Sequence, residues 1–264
     1  MEYVDTHAHI FVPEFDDDRA QVMAAALAAG VRRMLMPAVE PSDFGRMAAV
    51  RAAWPDRCFP LAGLHPTSVN DNPRWREDLA TVEQALRQPH AGGFCGVGEI
   101  GLDYYWSRDF CSEQREAFVR QVELSIELGL PVAVHTRDAW DDMTVIMRSF
   151  AGRGVKGIFH SFSGSEEVMR ELAACGDFLF GAGGPVTYKK SLMRVIRAAD
   201  ISQLVLETDC PYQSPEPHCG TRNEPAYIPL ICSKIAELKG LGAEQVAEIT
   251  TRNAERMFGL PAAH

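Results

Sequence analysis

The chain lacks the marks of several large protein classes. None of its seven cysteines stands in a C-x-x-C pair, which excludes a zinc ribbon, and the odd count argues against a disulfide framework. Cys58, Cys95, Cys175 and Cys232 lie in apolar runs and are expected to be small core residues in a reduced, cytoplasmic compartment. No apolar run approaches the roughly 20 residues that cross a bilayer. The longest, VMAAALAAGV at 22–31, lies between charged segments and reads as a surface helix ending at Gly30. No basic stretch precedes an apolar one at the start, so no secretory leader is expected. Positive charge is also short: the formal net charge is −10, which argues against the basic face that non-specific duplex binding requires. A nucleic-acid substrate would need a local site. No linker, low-complexity tract or long charge run breaks the chain, so one domain over residues 1–264 is expected, a monomer by default.

What is present is alternation. A short apolar, β-branched run is followed by a helix-period segment, and this recurs eight times, from YVDTHAHI with DDDRAQVMAAALAAG to QLVLETDCPY with EPAYIPLICSKIAELKG. Within SEQREAFVRQVELSIELG, Phe118, Val122 and Ile126 line one helical face. A further helix, GAEQVAEITTRNAERMFG, closes the chain. Eight units in a chain near the typical ~250 residues predict a (β/α)₈ TIM barrel with an additional C-terminal helix, its strands buried on both faces. The rival, an open doubly wound sheet, usually carries a glycine-rich first turn, which is absent.

The polar residues fall at the ends of the apolar runs. His7 and His9 end the first, His65 the third, Glu99 and Asp103 the fourth, His135 and Arg137 the fifth, His160 the sixth and Asp209 the eighth. In a parallel barrel that is where chemistry gathers. Residues i and i+2 of a strand share a face, so His7 and His9 are expected to project together, roughly 6.6 Å apart at Cα. Four imidazoles and two carboxylates exceed the complement of one tetrahedral ion and suit two ions sharing a carboxylate, a pair that lowers the pKa of bound water and clamps the oxygens of a displacement. Imidazole-rich ligation favours Zn²⁺ or Mn²⁺ over Mg²⁺.

The segments DTHAHI, GLHP, GEIGLDYY, HTRDA, HSFSGS, ETDCPY and RNEPAYI, spread from residue 5 to residue 228, resemble the motifs of the TatD family of metal-dependent hydrolases, within the amidohydrolase-like barrel superfamily. The resemblance implies two cations, the first held by His7, His9, Glu99 and Asp209, the second by Glu99, His135 and His160, with Glu99 bridging. It also implies phosphodiester hydrolysis, often as a DNase or 3′–5′ exonuclease, and a nuclease activity often supported by Mg²⁺. Ser161, the glycine-rich FGAGGPVTYKKS and the turn before Arg222 depart from the usual pattern and bear on substrate identity.

Asp209 is the candidate general base, because a carboxylate at the end of strand eight can touch both ion and water; the plainer role is a ligand alone. His65 is expected to bind a phosphate oxygen or protonate the leaving group, or to be a satisfied structural histidine. Arg137, two residues after His135, offers a guanidinium fork for phosphate, or an ion pair with Asp103 or Glu207. Asp103, Arg222 and Asn223 are further candidates for the substrate. Glu207 is expected to orient a ligand histidine from behind, or to be structural, and Asp5 has the same two readings. Tyr104, Tyr105 and Trp106, with Tyr188, Lys189 and Lys190, could stack bases and draw phosphates or be loop aromatics. Gly181, Gly183 and Gly184 fit a phosphate cradle or close packing. The expected partners are DNA or RNA ends or a small phosphoester. The alternatives are a hydrolase of a small ester, amide or lactone, which the acidic balance favours, and a non-catalytic metal-binding protein, which the complete ligand set disfavours.

Overall fold

A computed structural model describes residues 1–88 and 93–261. Its strands are β1 (Tyr3–Asp5), β2 (Val31–Pro37), β3 (Cys58–Ala62), β4 (Gly96–Asp103), β5 (Val132–Arg137), β6 (Lys156–Phe159), β7 (Asp177–Ala182) and β8 (Leu204–Leu206). Between them run α1 (Arg19–Ala28), α2 (Phe44–Ala53), α3 (Trp75–Arg87), α4 (Cys111–Leu128), α5 (Trp140–Ser149), α6 (Glu166–Cys175) and α7 (Lys190–Ala198), and after β8 come α8 (Ile228–Lys239) and α9 (Ala243–Phe258). The strands follow in chain order in one eight-stranded sheet. The expected (β/α)₈ barrel is borne out, and α9 is its additional helix. Among the described residues no helix is long and apolar enough to cross a membrane.

The chain divides into two compact units, Met1–Met36 with Val50–Phe59 and Leu179–His264, and Pro37–Ala49 with Pro60–Phe178. In the first, β1 pairs with β2 and β7 with β8, both parallel. The first and last strands are joined there: Thr6 N donates to the Leu206 carbonyl at 3.0 Å, and Ala8 forms a parallel bridge with Cys210. Helix α9 fastens this seam from behind, Asn253 Nδ2 donating to the Leu204 carbonyl at 2.9 Å and Thr251 Oγ1 to the Glu2 carbonyl at 3.1 Å. Buried Arg33 reaches the same helix through Glu255. In the second unit β3, β4, β5 and β6 pair in order, again parallel.

The strands are mostly buried, since apolar residues and glycines occupy most positions on both faces; in β4 no residue is exposed, while Arg137 at the end of β5 and Asp177 at the start of β7 are. The helices bury one stripe: in α3 it is Trp75, Leu79, Val82 and Leu86, spaced four, three and four apart. Helix α6 starts at Ser165, whose hydroxyl accepts from Val168 N, with Glu166 and Glu167 in the first turn where the helix dipole favours anions. Helix α4 buries Phe118 and Val122 as expected, but Ile126 is only half-buried, and two glutamines, Gln114 and Gln121, share the buried face.

Two expectations shift. Glu99 lies in the middle of β4 rather than at its end, where the pairing with β5 slips between Val97 and Ile100. Of the four cysteines assigned to the core, Cys58, Cys175 and Cys232 are buried, but Cys95, which precedes β4, is half-exposed; all seven are free thiols.

Strand β4 approaches β5 so closely that a Cβ on Gly101 would lie 1.9 Å from the His135 carbonyl oxygen, at a φ of +145°. Gly101→Ala is expected to cost about 2 kcal/mol or more through strain and overlap. Urea unfolding would measure it, and an unchanged midpoint would contradict the packing described.

Candidate functional site

In the first unit, regular pairing in β1 stops at Asp5, and the chain continues through the bridge at Ala8. Asp209 N donates to the His7 carbonyl at 2.8 Å, and His9 N to the Cys210 carbonyl at 2.9 Å. Residues flanking a bridge point the same way, and His7 Nε2 and His9 Nε2 are 3.2 Å apart. Asp209 Oδ1 is 3.8 and 3.6 Å from these nitrogens. All three side chains are buried. Asp209 has a φ of +61°, a conformation that costs a non-glycine residue about 1 kcal/mol or more and recurs at functional positions. Its backbone is held by the bond to His7 and by Tyr212 N, which donates to its carbonyl at 2.8 Å. Gln213 Nε2 donates to Asp209 Oδ2 at 2.6 Å, which leaves Oδ1 as the oxygen turned to the imidazoles. Nothing in the pattern of residues pointed to Gln213.

Beneath this triad, Asp5 accepts from His7 N at 3.2 Å, Thr208 N at 2.9 Å and Thr208 Oγ1 at 2.6 Å. Full burial pushes its carboxyl up to about 7, against the pull of those donors. Asp5 is therefore a structural fastener between the segments that carry His7, His9 and Asp209. Glu207 is buried too, with an oxygen within 4.8 Å of a ring nitrogen of His7. Gly181 leaves room for it, since a Cβ there would lie 2.2 Å from Glu207 Oε2, and a Cβ on Gly184 would lie 2.0 Å from the Gln213 carbonyl. Close packing thus accounts for these two glycines.

Arg222 and Asn223 do not have the environment expected of substrate groups. Arg222 forms a fork with Asp18 at 3.0 and 2.6 Å, pairs with Glu224 at 3.0 Å and lies over the Phe15 ring. Asn223 is fully buried, its Nδ2 donating to the carbonyls of Thr208 and Tyr212 at 2.7 Å each. Both tie the loop after β8 in place, because their donors are already taken by protein oxygens.

In the second unit, Glu99 Oε1 is 3.0 Å from His135 Nδ1, 3.0 Å from His160 Nε2 and 3.5 Å from His65 Nε2. His135 Nδ1 and His160 Nε2 are 3.4 Å apart. The other nitrogen of His135 faces Asp103 Oδ2 at 3.0 Å. That bond places the proton on Nε2 and turns the Nδ1 lone pair toward Glu99 and His160, as a carboxylate behind a ligand histidine does. Burial opposes charge on His135, but Asp103 and Glu99 outweigh it and raise its pKa; burial likewise works against the charged form of Asp103, yet His135 holds its pKa low. Asp103 itself is buried, so its contacts are those of an orienting partner rather than a substrate group.

His65 differs. Thr67 N donates to its Nδ1 at 3.1 Å and Thr67 Oγ1 lies 2.7 Å from the same atom, which assigns the proton to Nε2. Burial, only partly offset by Glu99, lowers its pKa. It is thus a neutral N–H donor at Nε2, which distinguishes it from His135, although His65, Glu99 and His135 also lie close enough together to hold an ion. Two glutamines of α4 hold the adjoining backbone. Gln121 accepts from Leu64 N at 2.8 Å and donates to its carbonyl at 3.1 Å; Gln114 does the same to Asp103, at 2.9 Å each way. Seven residues apart, they share a helix face, and each fixes the backbone of or beside a site residue.

Arg137 is exposed, its guanidinium 3.5 Å over the Tyr105 ring. Tyr188, Lys189 and Lys190 are exposed as well.

Two ligands about 2.0–2.1 Å from a tetrahedral ion are separated by about 3.3 Å. The spacings between His7 and His9, between His135 and His160, and from Glu99 to each of the latter two lie close to that value. Each set offers two imidazole nitrogens and a carboxylate oxygen, the donors that Zn²⁺ and Mn²⁺ accept. The residues fit a metal. A family model, TatD related DNase, matches residues 4–259.

The chain belongs to the TatD family.

Among relatives, it is 36% identical to an uncharacterized metal-dependent hydrolase, YabD, of Bacillus subtilis, over 96% of this chain and 98% of that one. It is 30% identical to a 3′–5′ ssDNA/RNA exonuclease, TatD, of Pectobacterium parmentieri, over 97% and 99%. The crystal structure of YJJV, a TatD homologue from Escherichia coli, superposes with a TM-score of 0.88 at 28% identity over 98% of both chains. This TatD-family chain is a metal-dependent hydrolase, and its fold is theirs.

Because Asp103 fixes the tautomer of His135, Asp103→Ala is expected to weaken metal uptake by the Glu99 set about 10- to 100-fold. Isothermal titration with Zn²⁺ would show it. A raised His135 pKa means that protons compete with metal at a higher pH than at an ordinary histidine. Affinity should therefore fall already as the pH drops toward about 6.5, and a flat profile through that range would contradict the assignment.

Proposed function

We propose that this protein hydrolyses phosphodiester bonds at the ends of DNA or RNA strands, using two divalent cations per chain. One is held by His7, His9 and Asp209, the other by Glu99, His135 and His160. The observation that carries the reading is the pair of donor sets, each with ligand-like spacing and a protein group behind it. The exonuclease relative supplies the substrate class. A bound divalent cation would acidify water and neutralise phosphoryl charge. The Asp209 carboxylate, steadied at Oδ2 by Gln213, is the group that takes the proton of the attacking water. His65, neutral and protonated at Nε2, donates to a phosphoryl oxygen; a lowered pKa makes it a poor acid for the leaving group. Arg137 is a further substrate-binding candidate, and Glu207 steadies the His7 ring. We take residues 1–264 as one functional domain, because the family model spans nearly all of it. A small phosphoester is the second reading, favoured by the net charge of −10.

Metal analysis is expected to give two ions per chain. The His7→Ala/His9→Ala and His135→Ala/His160→Ala double variants should each retain one. In a turnover screen with 3′-labelled single-stranded DNA, RNA and small phosphoesters, Asp209→Asn should lower kcat by about 10²-fold or more. Nucleic acid left intact with every divalent ion while a small ester turns over would replace the first reading by the second.

A further inference from the structure

We propose that Tyr105 and Trp106, backed by Arg137, form a stacking platform for the unpaired bases of a single-stranded nucleic-acid end. The proposal deepens the phosphodiesterase reading and rests on it for the chemistry done on the strand. The aromatic run Tyr104–Trp106 splits in two. Tyr104 turns inward, where it is buried and its hydroxyl donates to Asp142 at 2.7 Å. Tyr105 and Trp106 turn outward and remain 53% and 68% exposed. Their rings meet edge to face, with centroids 5.0 Å apart and planes at 86°. The Arg137 guanidinium lies 3.5 Å over the centre of Tyr105 and 5.7 Å from that of Trp106. This contact holds the tyrosine upright and adds a flat cation whose edge carries donors for phosphate.

The platform is anchored to the site. Tyr105 N donates to Asp103 Oδ1 at 3.0 Å, while Oδ2 of the same carboxylate faces His135 Nε2 at 3.0 Å. Arg137 pairs with Asp103 in the β4–β5 register and lies two residues beyond His135. The backbone that carries the rings is therefore tied to the same carboxylate that faces His135. What suits two exposed aromatic side chains and a guanidinium is a planar base carried on a phosphate backbone. Duplex bases offer no free face, so the occupant is a single strand. In a chain of net charge −10, stacking supplies affinity that a basic surface does not.

The test uses the metal-loaded full chain and two probes, a fluorescent thymidine octamer and an abasic octamer with the same phosphates. Binding is read by anisotropy in calcium and turnover by initial rates in manganese. Wild type is expected to bind the thymidine strand about tenfold more tightly than the abasic one. Trp106→Ala and Tyr105→Ala should each remove about fivefold or more of that preference. The loss should fall on KM rather than kcat and leave abasic binding unchanged, and Trp106→Phe should restore most of it. If both alanine variants keep the wild-type ratio, or weaken the two probes equally, the platform is wrong even when the strand is cut. If the preference is lost as expected but no cation supports cutting, the platform stands and the nuclease reading falls.

Discussion

A buried imidazole has two nitrogens, and the partner of one decides what the other can do. Nearly everything about this site depends on that constraint. His135 gives its Nε2 proton to Asp103 and so presents a lone pair at Nδ1. His65 accepts at Nδ1 from Thr67 and so presents a proton at Nε2. The two rings pack edge to face 4.6 Å apart and look toward the same carboxylate, Glu99, yet one presents a lone pair and the other a proton. Leaving such groups buried without defined partners would cost several kcal/mol each. The carboxylates and hydroxyls behind the rings are thus as much a part of the site as the rings themselves.

Holding those partners still is the work of irregular backbone at the strand ends. Regular pairing in β1 and β8 covers only three residues each, and the candidate ligands come after it. His7, His9 and Asp209 are kept in register by a single bridge and two backbone hydrogen bonds, with the left-handed turn at Asp209 swinging its carboxylate toward the imidazoles. In the second unit the equivalent support comes from a helix. The amides of Gln114 and Gln121 substitute for the neighbouring strand that a β-end lacks, satisfying an N–H and a carbonyl at once. A buried glutamine used this way carries no charge to desolvate, which suits it to a position beside a metal-donor set.

These mechanisms explain which parts of the molecule were legible in the sequence. Strand–helix alternation reports burial, and burial determines the fold, so the eight units and the final helix could be read directly. His7, His9, His135, His160 and Asp209 stood out because an ionisable residue that closes an apolar run has little structural reason to be there. Glu99 stood out for the same reason, although the slip in β4 that places it mid-strand has no sequence signature. The supporting residues stayed hidden. Gln114, Gln121, Thr67 and Gln213 are polar residues with nothing unusual in their spacing, and that holds whether the partner is two residues away, as His65 is for Thr67, or 57, as Leu64 is for Gln121. Arg222 misled in the opposite direction: its charge suggested phosphate, but Asp18, about two hundred residues earlier, had already taken its fork. Sequence patterns disclose exposure and periodicity well and pairing across the fold poorly.

The charge balance and the exposed rings bear on the same question from two sides. A hydrolase that gripped duplex DNA along its backbone would need a row of cations, and each phosphate neutralised would steepen its salt dependence. This chain, with ten more acidic than basic groups, is poorly suited to that mode. Metal ions at the donor sets would offset the acidic charge only where chemistry occurs, and aromatic stacking acts at short range with little sensitivity to salt. Together they favour a substrate whose end can be unstacked and presented singly, and disfavour the continuous duplex. Selectivity for strand ends would then follow from where positive charge is concentrated, without any surface that reads sequence.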